Sequence, residues 1–239
     1  MIGLIKADLR RIFRTKSFYI FNLFIVLVLA LFIKTENAEE FISSAKTAST
    51  TIVEISVSFF VLVRVYSDEL HAGTIQGAIG SGIKRSSIIK AKFLDCMALV
   101  TVEMLTVLIV LFVFMRIDKE LAITNQSRAN LALSVAFDGI ETLAVIALSS
   151  LVVYISWNVA SMIIANICVT FVMPIVLTGI DQWLKTTLLE FWLDYLFRNS
   201  YTSFTAGTFD IRFILAIIVY IAVPVLLSAY VFKRKELEL

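Results

Sequence analysis

Residues Leu131–Ile180 read LALSVAFDGIETLAVIALSSLVVYISWNVASMIIANICVTFVMPIVLTGI. The whole stretch passes without a lysine, arginine or histidine, and only Asp138 and Glu141 carry charge. A membrane-crossing helix needs about 20 mainly apolar residues. Two such runs fit here, 131–155 and 159–180, with only Ser156, Trp157 and Asn158 between them. So short a polar break reads as a tight helical hairpin, with Trp157 and Asn158 at the membrane–water interface.

Working outward, four more apolar runs appear: 17–33, 47–66, 88–115 (its apolar part Cys96–Met115) and 211–232. Six spans in one transmembrane domain, 1–239, make an all-α membrane protein. The composition agrees. The apolar set makes up 59% of the chain and charged residues 17%, whereas soluble domains hold about 45–50% and about 25%. That excludes an ordinary soluble domain. Scarce glycine and proline exclude a fibrous or disordered chain, and a net charge of +2 is too small to argue for a nucleic-acid partner. Cys96 and Cys168 lie in apolar runs without metal or C-x-x-C spacing, as two small buried residues would. No small-residue cleavage site follows Phe32, so the first run reads as a retained anchor.

Lysine and arginine in the connections orient the bundle. With both ends in the cytoplasm, the inner segments hold 13 of the 21 cationic residues, from Lys6 and Arg10 through Arg64, Lys84, Arg85, Lys90 and Lys92 to Lys233, Arg234 and Lys235. The outer segments hold eight: Lys34, Lys46, Arg116, Lys119, Arg128, Lys185, Arg198 and Arg212. The expected location is the plasma membrane, with both termini cytoplasmic. Residues 1–16 read as an amphipathic helix. Ile2, Ile5, Leu9, Ile12 and Phe13 share one face and Lys6, Arg10 and Arg14 another, which suits a helix lying flat on the inner leaflet. Residues 181–199 are aromatic but too charged to span. They read as a short re-entrant or interfacial helical pair on the outer face.

Between the second and third spans lies YSDELHAGTIQGAIGSGIKRSSIIKAKFLD, Tyr66–Asp95, with four of the eight glycines. Ser67 can cap a short helix that Gly73 ends. A second helix can run from Thr74 until Gly80-Ser81-Gly82 breaks it, and Ser86 or Ser87 can cap the third span. Short helices at 67–87 suggest a docking surface. Gly77 and Gly82 have the glycine spacing of a phosphate-binding loop, but Ile83 stands where that loop needs lysine, and no strand precedes. The chain therefore carries no nucleotide motif. His71, the only histidine, has no partner for a metal site. No catalytic constellation is readable.

The flat basic helix, six spans and this connection together resemble the permease subunits of ABC-2 type ATP-driven transporters. The local likeness rests on Glu69, on Gly73-Thr74-Ile75, on Gly82-Ile83-Lys84-Arg85 and on Ile88-Ile89-Lys90-Ala91-Lys92-Phe93, with a basic tail after Phe232. The resemblance implies that Glu69, Gly73, Thr74, Ile75, Lys84 and Arg85 contact a cytosolic ABC ATPase, present in two copies. That ATPase would bind ATP and magnesium; this chain would hold no cofactor and no metal. A second permease, itself or a paralogue, would complete the pathway, and two short outer helices after the fifth span are a family feature.

Ionisable groups inside spans are functional candidates, because burying a charge there costs about 2.5–3.5 kcal/mol even on the lenient insertion scale. Thr47, Thr51, Glu54 and Ser58 follow helical spacing and read as one continuous polar stripe facing a pathway. Asn166 and Thr170 share a face of the fifth span and join that pathway set. Glu103 fits a pathway or an inter-helix hydrogen bond equally. Asp138 and Glu141 read as outer-face helix packing. These acids suit a cationic, amphipathic cargo such as an antimicrobial peptide or toxin. The other reading is a substrate-capture membrane subunit of an energy-coupling vitamin or ion importer, a class without the glycine-punctuated connection.

Overall fold

The computed structural model describes residues 2–33, 37–67, 70, 74–80, 82–117 and 123–234. Among them there is no strand. The helices are α1 (Ile2–Phe13), α2 (Lys16–Phe32), α3 (Ala38–Ser67), α4 (Thr74–Gly80), α5 (Arg85–Ile117), α6 (Asn125–Ser156), α7 (Val159–Leu184), α8 (Leu193–Thr205) and α9 (Arg212–Arg234). Five of them, α3, α5, α6, α7 and α9, are long and apolar enough to cross a membrane. The first apolar run is the marginal one. α2 has 17 residues, about 25 Å at 1.5 Å per residue, against a hydrocarbon core of about 30 Å. It meets α1 at a 66° bend, and the two together form one broken run long and apolar enough to cross.

Aromatic and polar contacts fix which helix ends lie together. At one end, Tyr66 of α3 meets Tyr154 of α6 edge-on at 5.9 Å, and Trp157 stacks on Phe232 of α9 at 5.5 Å. There too Arg85 Nη1 donates to the Phe232 carbonyl at 3.2 Å. At the opposite end, Lys46 Nζ donates to the Tyr201 hydroxyl at 2.9 Å, which donates to the Asn130 carbonyl at 3.2 Å. Phe137 of α6 packs on Phe213 of α9 there. Successive long helices therefore run antiparallel. α2 follows the rule: Phe21 stacks on Phe60 of α3 at 4.0 Å, and Phe32 lies near Glu40 and Ser43.

The expected hairpin forms with its polar residues as caps. Trp157 is left-handed (φ 57°) and returns its N–H to Val153 O at 2.7 Å; Asn158 Oδ1 accepts from Ala160 N at 2.8 Å. Gly139 brings α6 and α5 close, since a Cβ there would stand 3.1 Å from Met104 Cγ. α7 and α9 bury little of their most apolar stretches against the chain, 6% and 17%. Lipid or another protein must cover those faces.

Several boundaries differ from the sequence expectation. α3 starts at Ala38, nine residues before 47, because Asn37 Oδ1 caps it through Glu40 N at 2.8 Å and Phe41 and Ala45 bury one face. Ser67 is the last residue of α3; the short helix expected after it falls largely on Asp68, Glu69, His71 and Gly73, which lie outside the described residues, while Leu70 is helical. α4 runs from Thr74 to Gly80 as expected, and Gly82 (φ 86°) turns the chain after it. The Lys84 carbonyl, not Ser86 or Ser87, receives the first bonds of α5. The pair expected at 181–199 is instead the end of α7, a 3₁₀ turn Leu188–Phe191 and α8. Asp181 builds that corner, accepting from Thr186 Oγ1 at 2.6 Å, Leu188 N at 2.8 Å and Leu189 N at 2.7 Å. Cys96 is buried, but Cys168 is only half-buried.

Candidate functional site: an acid-lined cavity under α8

The site begins with a local defect in α3. Between Ala48 and Val53 the helix widens into a π turn, and Glu54 N–H reaches back five residues to Ser49 O. The extra residue rotates everything beyond it relative to a regular helix. The stripe read as continuous is therefore broken. Thr47 and Thr51 are exposed, whereas Glu54 and Ser58 turn inward and are buried. A second π turn, Cys168–Val172 in α7, carries Thr170.

Two adjoining cavities lie against these turns at the end away from α1. One of about 260 Å³ is lined by Lys46, Ser134, Asp138, Glu141 and Tyr201, with Asp194 and Arg198 of α8 at its edge. The other, about 210 Å³, reaches Thr51, Glu54 and Thr170 between apolar walls that include Val145 and Trp192. Thr50, Glu141, Asp194 and Arg198 belong to both. Here α3, α6 and α7 make the walls and α8 the cover.

The outer cavity's charges have local partners. Asp138 Oδ2 accepts from Ser49 Oγ at 2.6 Å, which is the helix packing expected of it. Lys46 bonds Tyr201 and sits 5.0 Å over its ring; Arg198 pairs with Asp194 at 3.8 Å. Glu141, likewise buried on α6, lines both cavities and shares the second with Glu54. Toward the other end, buried Asn166 donates to buried Ser58 at 3.2 Å and pins α7 to α3.

Of the expected pathway residues, Thr51, Glu54 and Thr170 thus share one cavity, Ser58 and Asn166 bond each other beneath it, and Glu103 is elsewhere. Glu103 is fully buried between α5 and α2, where Asn22 Nδ2 donates to its Oε1 at 3.2 Å. That is the inter-helix hydrogen bond of its two readings. Of the expected coupling residues, Ile75 is buried, Arg85 is engaged with the Phe232 carbonyl and ring, and Lys84 is exposed. Thr74 starts α4; Glu69 and Gly73 lie outside the described residues.

One cluster escaped the sequence reading. Lys92 Nζ lies 2.6 Å from Asp8 Oδ2 and 3.7 Å from Asp95 Oδ2, tying α1 to the start of α5. Asp8, on a helix read only for its cations and apolar face, was the available signal. No group of three metal-ligating side chains occurs among the described residues. No protein-family model matches the chain, and no curated protein matches its sequence.

Proposed function

We propose that the chain is the permease subunit of an ABC-2 type exporter in the plasma membrane. It crosses the bilayer six times, α2 included, with both ends in the cytoplasm and α8 as a re-entrant or interfacial helix outside. It pairs with a second permease, itself or a paralogue, and docks two copies of a cytosolic ABC ATPase. The partner binds ATP and magnesium and performs hydrolysis; this chain transmits its movement to the spans. The cargo is an amphipathic, cationic peptide such as an antimicrobial peptide or toxin.

The observation that carries the reading is α4. A seven-residue helix stands between two long apolar helices, its Ile75 buried in the bundle and the exposed Lys84 following it. It lies at the end where α1 meets α5 through Asp8 and Lys92. A partner that pushes α4 reaches α3 and α5 together. The cavities at the other end support a cationic cargo, since Glu54, Asp138, Glu141 and Asp194 line them against Lys46 and Arg198, and an excess of one sign concentrates the opposite charge.

The test deletes residues 74–82 from the tagged full chain and measures recovery of the ATPase subunit from membranes. The deletion variant reaches the membrane but loses the ATPase, and Glu69→Lys lowers recovery or uncouples hydrolysis from export. Equal ATPase recovery by the deletion variant, or ATP hydrolysis by the purified chain alone, overturns the proposal.

A further inference from the structure

Two carboxylates in the inner cavity stand without partners. Glu54 is 7% exposed and Glu141 8% exposed, and both line the cavity of about 210 Å³. Among the described residues neither accepts a hydrogen bond or joins an ion pair. Of the nearby charges, Asp138 is bonded to Ser49 and Lys46 to Tyr201; Arg198 lines the same cavity and attracts Glu141 at longer range, but its ion pair is with Asp194 at 3.8 Å. Thr170 Oγ1, in the π turn of α7, is also buried without a hydrogen bond. Threonine in a regular helix bonds readily to the carbonyl four residues back, and the widened turn withdraws that option. The Glu54 and Glu141 carboxylates and the Thr170 hydroxyl, three acceptor groups without a hydrogen bond, therefore share one cavity, and buried polar groups are costly unless something donates to them.

We propose that this cavity binds a compact primary ammonium group between Glu54 and Glu141, with Thr170 Oγ1 as its third acceptor. An ammonium presents three N–H donors and no acceptor, one for each of the three acceptor groups. A guanidinium is planar and spreads five donors in a fixed fork, a poorer match to acceptors contributed by three separate helices. A lysine-like side chain also carries an apolar stem that lies along apolar surface while its head stays with polar partners. Val145, Val169, Phe171 and Trp192 supply that surface on the same cavity. That the ammonium belongs to an exported peptide rests on the exporter reading above; the cation chemistry of the cavity does not.

The test uses the full chain in lipid nanodiscs and n-butylammonium chloride as the probe, titrated against choline chloride and sodium chloride at equal ionic strength. Choline has no N–H donor and sodium no alkyl stem. Butylammonium raises Tm saturably above both. The shift disappears in Glu54→Gln and in Glu141→Gln and persists in Glu190→Gln, an exposed acid outside the cavity. Equal effects of butylammonium and choline overturn the site. Equal effects of butylammonium and sodium overturn the ammonium assignment, as does a shift that survives in the Glu54→Gln, Glu141→Gln double variant. The comparison of the three salts on the unaltered chain decides the matter even where a variant fails to fold. No ATPase is needed, so failure here leaves the exporter reading to be judged by the deletion of 74–82.

Discussion

Lys92→Met is the sharpest perturbation of the way α1 is held. The Lys92 side chain is 2% exposed, that of Asp95 0% and that of Asp8 13%. The substitution keeps most of the side-chain volume and removes a cation that lies within 4 Å of two carboxylates, Asp8 and Asp95. Removing one partner of a buried pair costs about 3–5 kcal/mol, because the other charge stays behind uncompensated. Asp8→Asn is milder, about 1.5–3 kcal/mol as a lost hydrogen bond to a charged group, since Lys92 keeps Asp95 at 3.7 Å. The two changes are not additive, because once Lys92 is gone Asp8 keeps only its 4.0 Å pair with Arg11 to lose. Replacing all three, Asp8→Leu with Lys92→Met and Asp95→Leu, recovers most of the loss, as hydrophobic replacement of buried ion pairs does. Folding free energies from titration with sodium dodecyl sulfate in mixed micelles, followed by helicity, supply the cycle. A Lys92→Met variant within about 0.5 kcal/mol of the parent, or strict additivity with Asp8→Asn, refutes the reasoning.

Ser58→Ala and Asn166→Ala each cost about 0.6 kcal/mol, the average for a hydrogen bond between membrane helices, and the double variant costs little more than either; the same titration checks this, and a doubled loss contradicts the bond. Gly77→Ala stabilises by about 0.5–1 kcal/mol, because nothing lies within 4 Å of a Cβ there and alanine suits a helix interior better. Gly82→Ala has equal space but destabilises by about 1–2 kcal/mol, because its φ of 86° is left-handed; a pair of melting curves with shifts of the same sign refutes the contrast. Asp181→Ala frees the corner after α7, so limited proteolysis cuts within 185–192 sooner than in the parent. With Cys168 replaced by serine, a cysteine at Thr124 reacts with an impermeant thiol reagent from outside intact cells and one at Lys84 reacts only after permeabilisation. The reverse pattern inverts the topology.

The π turn at Ala48–Val53 of α3 shows where reading along the chain stops. Thr47, Thr51, Glu54 and Ser58 are spaced for one face of a regular helix, and nothing in the residues Ala48–Val53 announces a turn that widens there. Within the widened turn Ser49 gives its hydroxyl to Asp138 of α6, a partner 89 positions away that no local spacing announces. The early start of α3 was hidden for a different reason. Ala38–Lys46 is too polar to register as part of an apolar run, although Asn37 and the acids after it form an ordinary helix start.

The sequence by itself determined the class of the molecule and most of its long helices. Bilayer thickness dictates the length of an apolar run, and a helix satisfies its own backbone hydrogen bonds, so both properties are local. The hairpin at Trp157 and Asn158 and the short helix Thr74–Gly80 were legible for the same reason: caps and glycine punctuation act within a few residues. The tertiary structure alone decided which polar groups meet. Asn22 reaches Glu103 across 81 positions and Asp8 reaches Lys92 across 84. Glu54 and Glu141 come to line one cavity only because α3 and α6 pack side by side there. A buried charge advertises in the sequence that it needs a partner; which partner it finds depends on the order in which the helices pack and on the rotation each π turn adds.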